Sequence, residues 1–210
     1  MKPKPLVIAT GNPHKVEELR AIFGGAGIEV IGLGDLGGMF VEPAETGRTF
    51  AENAAIKALG YAAQTGRLCL ADDSGLEVDA LGGAPGVISS HYATDGVETG
   101  QSRAERDAAN NARLMRELEG VPRERRTARF VCEMCIADGA GVVARARGTF
   151  EGRIGERGEV PRGGNGFGYD PLFVVEDGRT SAEMSPAEKN ARSHRGSAAM
   201  RMAEALARIR

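Results

Sequence analysis

Short apolar runs alternate with segments of helical period along this chain. Pro5 to Thr10 reads Pro-Leu-Val-Ile-Ala-Thr, the pattern of a short buried strand. Val16, Leu19, Ile22 and Phe23 then recur at helical spacing. That spacing predicts a helix with Asn12 as N-cap, Pro13 at its first position and Gly24-Gly25 as its stop. Ile28 to Leu33 predicts a second strand, followed by a polar loop that carries Glu42 and Glu45. Thr49-Phe-Ala-Glu52 is a capping box and opens a helix through about Gln64. Phe50, Ala54, Ala58 and Tyr61 form its apolar stripe, while Asn53 and Lys57, four apart, share another face.

The apolar run Leu68 to Ala71 leads into Asp72-Asp73, and Ser74-Gly75 breaks the pattern. This reads as a strand that ends at a surface and delivers two carboxylates to the sheet edge where open α/β sheets bind ligands. Taken alone, the pair serves equally well as a cap for the next segment. Ser102 to Glu119 predicts a helix with Ala104, Ala108, Asn111, Met115 and Leu118 on one side, ended by Gly120 and Pro122. Arg123 to Arg129 reads as a solvated basic face or a charge-protected edge strand. Residues 128–137 and 141–151 flank Asp138-Gly139, a hairpin signal. Glycine-rich loops occupy 82–86 and 163–171, the second leading into a strand at 172–175. Ser185-Pro-Ala-Glu188 is another capping box; Ser193-His-Arg-Gly196 interrupts that helix, and Ala198 to Ile209 predicts a last one. The alternation of strands and helices predicts an α/β fold. No linker separates independent domains, so the 210 residues read as one domain.

Composition narrows the function. A net charge of −2 gives no overall pull toward nucleic acid or an anionic membrane surface. No apolar run approaches the length of a membrane span, and a cytoplasmic location is expected. Cys132 and Cys135 have the spacing of half a zinc site, but on a strand residues three apart point to opposite faces. Core thiols in a reducing compartment fit better, with Cys69 making an odd count.

Candidate chemistry concentrates in a few segments. The strand–turn–helix at Thr10-Gly11-Asn12-Pro13-His14-Lys15 aims backbone N–H groups and a helix N-terminus at an anion, with Lys15 adding a full charge. It lacks the spacing of the common nucleoside triphosphatase phosphate loop, and a plain βα turn has the same pattern. The chain holds 22 Arg but 5 Lys. Apart from Lys2 and Lys4 these are Lys15, Lys57 and Lys189, each in a segment singled out on other grounds. Where Arg is the default cation, a retained Lys marks a place for a compact point charge, such as phosphate coordination. Phe167 and Tyr169, on a glycine loop, could offer a flat apolar face to a base or pin the loop to the core. His194 and Arg195 sit at a helix break, where a pair of this kind is often surface decoration.

Thr10-Gly-Asn-x-x-Lys15, Ala71-Asp-Asp-Ser-Gly75, Gly83-Ala-Pro-Gly86, Gly166-Phe-Gly-Tyr-Asp170 and Ser193-His-Arg-Gly196, in this order, closely resemble the motifs of the inosine/xanthosine triphosphate pyrophosphatases. The resemblance runs from about residue 6 to 208. It implies an elongated α/β fold with a long mixed sheet flanked by helices, two lobes with a central nucleotide-binding cleft, and a homodimer. It implies that Thr10 to Lys15 bind the triphosphate and that Asp73 is both catalytic base and Mg²⁺ ligand. Glu45 becomes a second metal ligand, with Asp72 a supporting one, and Ser74 a substrate contact. Phe167, Gly168, Tyr169, Asp170, Lys189, His194 and Arg195 match the nucleotide-binding set, and Lys57 joins Lys15 and Lys189 as a counter-charge for pyrophosphate. The implied activity is Mg²⁺-dependent hydrolysis of ITP, dITP and XTP to monophosphate and pyrophosphate, with neither nucleic acid nor membrane as partner. The alternatives are a non-catalytic nucleotide sensor and a pyrophosphatase for another modified nucleotide. One departure is His91, where the family often has Arg.

Overall fold

The structure, a computed structural model, describes residues 5–209 except the side chains of Pro13, His14, Pro186, Asn190 and Ile209. Lys2 and Lys4 lie outside the described residues, as do the Pro13 and His14 side chains. In chain order the elements are β1 (Leu6–Ile8), α1 (Pro13–Gly25), β2 (Val30–Gly32), α2 (Phe50–Thr65), β3 (Cys69–Val78), α3 (Arg103–Glu117), β4 (Thr127–Asp138), β5 (Gly141–Ile154), β6 (Phe173–Val174), α4 (Pro186–Arg192) and α5 (His194–Ile209). The strands order as β2-β1-β3-β4-β5-β6, parallel where β1 meets β2 and β3, antiparallel where β5 meets β6. The fold is mixed α/β. The chain divides into two compact units. The first takes the chain up to Ser74, then Cys132–Gly148 and the stretch from His194; the second takes Gly75–Val131 and Thr149–Ser193.

In the first unit the sheet carries a core on each face, because successive strand residues point to opposite sides. Leu6, Ile8, Leu70, Cys132, Met134 and Ile136 pack with Leu19 and Phe23 of α1 and with Ala198, Met202 and Leu206 of α5. Val7, Ala9, Cys69, Ala71, Cys135 and Ala137 turn the other way, against Ala54, Ala58 and Tyr61 of α2. The cysteines are free, and Cys132 and Cys135 fall in different cores, as the strand spacing predicts. Burial pushes all the thiols up, which suits core residues and not metal ligands.

In the second unit Leu76, Val78, Leu114, Leu118, Ile154 and Phe173 centre a separate core, with the Phe130 and Phe173 ring centroids 4.6 Å apart.

Several expectations need correction. β3 does not end at Asp72-Asp73: it runs through Ser74-Gly75 to Val78. What ends is its pairing with β1, whose last matched residues are Ile8 and Leu70. The carboxylates therefore lie just beyond the parallel pairing, in the middle of a strand. α3 buries Asn110 and Leu114, with Leu118 buried at its C-cap, while Ala104 and Ala108 are exposed. A polar residue holds the inner face because Asn110 donates to the Ser89 and Ser90 carbonyls and accepts from the Ala93 N–H. Arg123 to Arg129 is not uniformly solvated: Arg126 is 5% exposed and donates to the carbonyls of Leu118, Val121 and Gly155, ending α3 with a buried guanidinium. The last helix begins at His194 and not at Ala198, so that Ser193 alone is the break.

Candidate active site

The alternation that builds the two cores also separates Asp72 from Asp73. Asp73 faces α2. The Thr49 hydroxyl accepts the Glu52 N–H at 3.2 Å, and the Glu52 carboxylate accepts the Thr49 N–H at 3.2 Å, which closes the capping box and sets the helix register. One turn in, Asn53 Nδ2 donates to Asp73 Oδ2 at 3.3 Å. At the next turn Lys57 Nζ donates to Asp73 Oδ1 at 3.3 Å and to Glu45 Oε1 at 3.0 Å. Glu45 comes from the loop before α2. That loop is tied down where the Gly47 N–H donates to Asn53 Oδ1 at 2.8 Å. A Cβ on Gly47 would lie 2.6 Å from the same oxygen, so the approach requires glycine.

Electrostatics follow from this geometry. Burial pushes the Asp73 carboxyl above its ordinary range; Lys57 opposes that and the Glu45 charge adds to it. Burial disfavours the Lys57 ammonium, but Asp73, Glu45 and Asp72 outweigh it and raise its pKa. Two carboxylates thus share one ammonium and keep a net negative charge. Among the described residues no three His, Cys, Asp or Glu side chains converge as a ready-made metal cage. Glu45 and Asp73 are nevertheless two hard oxygen donors already converging on one positive centre.

Asp72 turns to the opposite face and meets α1 and α5. Its carboxylate accepts from Lys15 Nζ at 2.9 and 3.1 Å, from the Ser74 hydroxyl at 3.4 Å and from Arg195 Nε at 3.5 Å. Arg195 also donates to Ser74 Oγ at 3.2 Å and to Glu18 at 3.4 Å. Burial alone would raise the Asp72 carboxyl, which is 2% exposed, but Lys15, Arg195 and Lys57 hold it well below the usual range. Lys15 is placed by its turn: its N–H donates to Asn12 Oδ1 at 3.4 Å, and the Asn12 N–H donates to Thr10 Oγ1 at 3.2 Å. Gly11 is exposed at the bend, and His194 opens α5 beside Arg195. The structure thus brings Asp73, Glu45 and Lys57 together on one face, and Asp72, Ser74, Lys15 and Arg195 on the other.

The second unit holds the remaining predicted residues. Phe167 is 57% exposed, whereas Tyr169 is 5% exposed and donates its hydroxyl to the Ser89 carbonyl at 2.8 Å. Tyr169 is therefore the loop's anchor, and Phe167 alone presents a ring. Asp170 accepts from the Phe167 N–H and the Ser181 hydroxyl, each at 2.8 Å, and pairs with Lys189. Each of the three lysines singled out by scarcity is paired with a motif aspartate: Lys15 with Asp72, Lys57 with Asp73, Lys189 with Asp170. Sequence reasoning missed Asn53 as an Asp73 partner, although its shared face with Lys57 was the available signal. Glu18 carried no signal. His91 contacts Glu98 at 2.9 Å and Ser90 at 2.9 Å.

Comparison with known proteins gives a consistent result. A model of the Ham1 family matches residues 6–205. A dITP/XTP pyrophosphatase of Nitratidesulfovibrio vulgaris is 50% identical over 203 residues, covering 95% of this chain and 94% of its own. One from Geobacillus kaustophilus is 48% identical over 202 residues, covering 96% and 93%. Among solved structures, the Staphylococcus aureus Ham1 protein superposes with a TM-score of 0.83 at 35% identity, covering 99% of this chain and 100% of that one. A nucleoside-triphosphatase, dITP/XTP pyrophosphatase, from Mycobacterium abscessus gives 0.75 at 39% identity, covering 99% and 98%.

Proposed function

The chain belongs to the Ham1 family, and we propose that its Asp73 site hydrolyses the non-standard purine nucleotides ITP, dITP and XTP to monophosphate and pyrophosphate, clearing them from the nucleotide pool. It is a nucleoside triphosphate pyrophosphatase, a hydrolase acting on a phosphoric anhydride. The observation that carries the site assignment is the half-buried Asp73 carboxylate, its two oxygens held by Asn53 and Lys57 of α2, with Glu45 on the same ammonium.

Glu45 and Asp73 would hold Mg²⁺, an ion commonly bound through one or two carboxylates together with waters and substrate phosphates. When bound, it supplies Lewis-acid polarisation of a phosphoryl oxygen and acidifies water. Asp73 takes the proton of the water that attacks the α-phosphorus, its carboxylate held in orientation by Asn53 and Lys57. The bond from the α-phosphorus to the bridging oxygen breaks and pyrophosphate leaves. Lys57 keeps its charge throughout and offsets phosphate charge beside the carboxylates. Lys15 and the Thr10–Asn12 turn bind phosphate oxygens, while Asp72 holds Lys15 and Arg195 in place. Asp72 is thus assigned a positioning role and not a metal-binding one, since its oxygens already accept from these cations and from Ser74.

Hypoxanthine and xanthine carry a 6-oxo acceptor where adenine carries an amino donor. A site of N–H donors rejects adenine because those donors would be left unpaired. We assign that reading to His194 and backbone N–H groups, because Arg195 already donates to Asp72, Ser74 and Glu18. Phe167 offers the exposed ring for stacking and Lys189 a further cation. A cytoplasmic homodimer without nucleic-acid or membrane partners completes the proposal. The −2 net charge supports the lack of nucleic-acid and membrane partners, and the buried free thiols suit a reducing compartment. No helix among the described residues is long and apolar enough to cross a membrane.

The test is separate detection of orthophosphate and pyrophosphate across a nucleotide panel with Mg²⁺. Pyrophosphate is expected from ITP, dITP and XTP, with kcat/KM for ATP lower by about 10²-fold or more. Equal kcat/KM for ATP and ITP, or release of orthophosphate, would refute the reading.

A further inference from the structure

Within the second unit, one face of α3 grips two consecutive residues of the Phe167 loop. Arg103, Asp107 and Asn111 are spaced four apart and so line up along one side of the helix. The Arg103 guanidinium carbon lies 4.0 Å from the centroid of the Phe167 ring. Asp107 Oδ2 accepts the Gly168 N–H at 2.9 Å, and Asn111 Nδ2 donates to the Gly168 carbonyl at 3.0 Å. Both peptide groups flanking Gly168 are therefore held by α3. Arg103 stands on an ordered turn, because Ser102 and Glu105 close a capping box around it.

The loop is held from its own side as well. Asp170 accepts the Phe167 N–H at 2.8 Å. A Cβ on Gly166 would lie 2.2 Å from the Asp170 carboxylate, so the chain passes too close for any side chain. The outcome is a fixed backbone carrying a ring that is 57% exposed, with a guanidinium against it. An aromatic ring kept in water by hydrogen bonds and a cation–π contact, when its neighbour Tyr169 is buried, is arranged for a ligand and not for the core.

We propose that the Arg103–Asp107–Asn111 stripe positions Phe167 for recognition of the purine ring, Arg103 setting the ring and the other two setting the backbone beneath it. The proposal rests on the reading that Phe167 stacks on the base. Its physical content is preorganisation: a ring already held in place loses less freedom when the base binds. Arg103, Asp107 and Asn111 are positioning residues and touch no reacting atom. Their loss weakens ground-state binding and leaves the chemical step alone.

The chain contains no Trp, so Phe167→Trp places one indole emitter at the position in question. In nucleotide-free protein, adding Arg103→Ala is expected to lower the steady-state anisotropy of that emitter and shift its emission, while Arg103→Lys restores part of the signal. In the Phe167 background, Arg103→Ala and Asp107→Ala are expected to raise KM for ITP about tenfold with kcat within about twofold. Asp107→Asn, whose amide oxygen still accepts the Gly168 N–H, is expected to return KM toward the parent value. An unchanged KM in Phe167→Ala overturns the stacking reading and the proposal with it. A raised KM in Phe167→Ala, with KM unmoved by the Arg103 and Asp107 variants and the indole signal unmoved by Arg103→Ala, overturns the stripe alone.

Discussion

Asn53 and Lys57, one turn apart on α2, both end on the carboxylate of Asp73, the amide at Oδ2 and the ammonium at Oδ1, each at 3.3 Å. A helix of fixed register therefore holds both oxygens of one strand residue. The capping box at Thr49 sets that register, and the Gly47 contact ties the Glu45 loop to the same Asn53. The carboxylate is held in orientation by groups that are themselves held.

Asp73→Asn keeps the shape and removes the proton acceptor. kcat for ITP is expected to fall about 10²- to 10⁴-fold, the usual worth of a general base. The urea midpoint should barely move. Burial already disfavours the Asp73 charge, and Lys57 retains Glu45 as its partner. Turnover near that of the parent enzyme would remove Asp73 from the mechanism.

Metal removal tests the donor pair. Activity is expected to vanish in EDTA and return with added Mg²⁺. In Glu45→Gln the Mg²⁺ concentration for half-maximal rate should rise about tenfold or more, since even a supporting partner of a metal ligand carries about that much affinity. A Mg²⁺ titration of rate decides it, and an unchanged midpoint would exclude Glu45 as a ligand.

Much of this was legible in the chain because it rests on local chemistry. The capping boxes at Thr49 and Ser185 and the apolar stripe of α2 follow from short-range spacing, and all are present. The scarcity of Lys pointed to the three ammonium groups that pair with motif aspartates. What was not legible depends on neighbours remote in sequence. Ser74-Gly75 looks like a break, yet β3 continues through it. Polar Asn110 looks outward-facing, yet backbone groups of residues 89, 90 and 93 draw it inward. Adjacent aspartates look like a pair, yet a strand sends them to opposite faces and to different helices.

The two loop aromatics should separate cleanly. Tyr169→Phe removes a buried hydroxyl that donates to the Ser89 carbonyl, and should cost about 1 kcal/mol of stability. Phe167→Ala removes a ring that is largely exposed, so stability should stay within about 0.5 kcal/mol while KM for ITP rises. Urea unfolding and steady-state kinetics on both variants check this. The reverse pattern would mean that the roles of anchor and ligand face are exchanged.

Asp72 should matter to the fold in a pH-dependent way. Its carboxylate is buried among Lys15 and Arg195, whose side chains are 24% and 13% exposed, so Asp72→Asn leaves two sheltered cations without their main counter-charge. Breaking such a pair is expected to cost about 3 kcal/mol near neutral pH. The folded-state pKa of Asp72 lies below its unfolded value of about 3.9. Its contribution is therefore complete above the unfolded pKa and is lost as pH falls through the folded one. Other acidic groups titrate in both proteins and largely cancel in the difference. In metal-free buffer, the gap in unfolding free energy between parent and Asp72→Asn should be full at neutral pH and shrink as the solution becomes strongly acid. A gap that stayed constant across that range would mean that packing, and not the ion pair, makes Asp72 important.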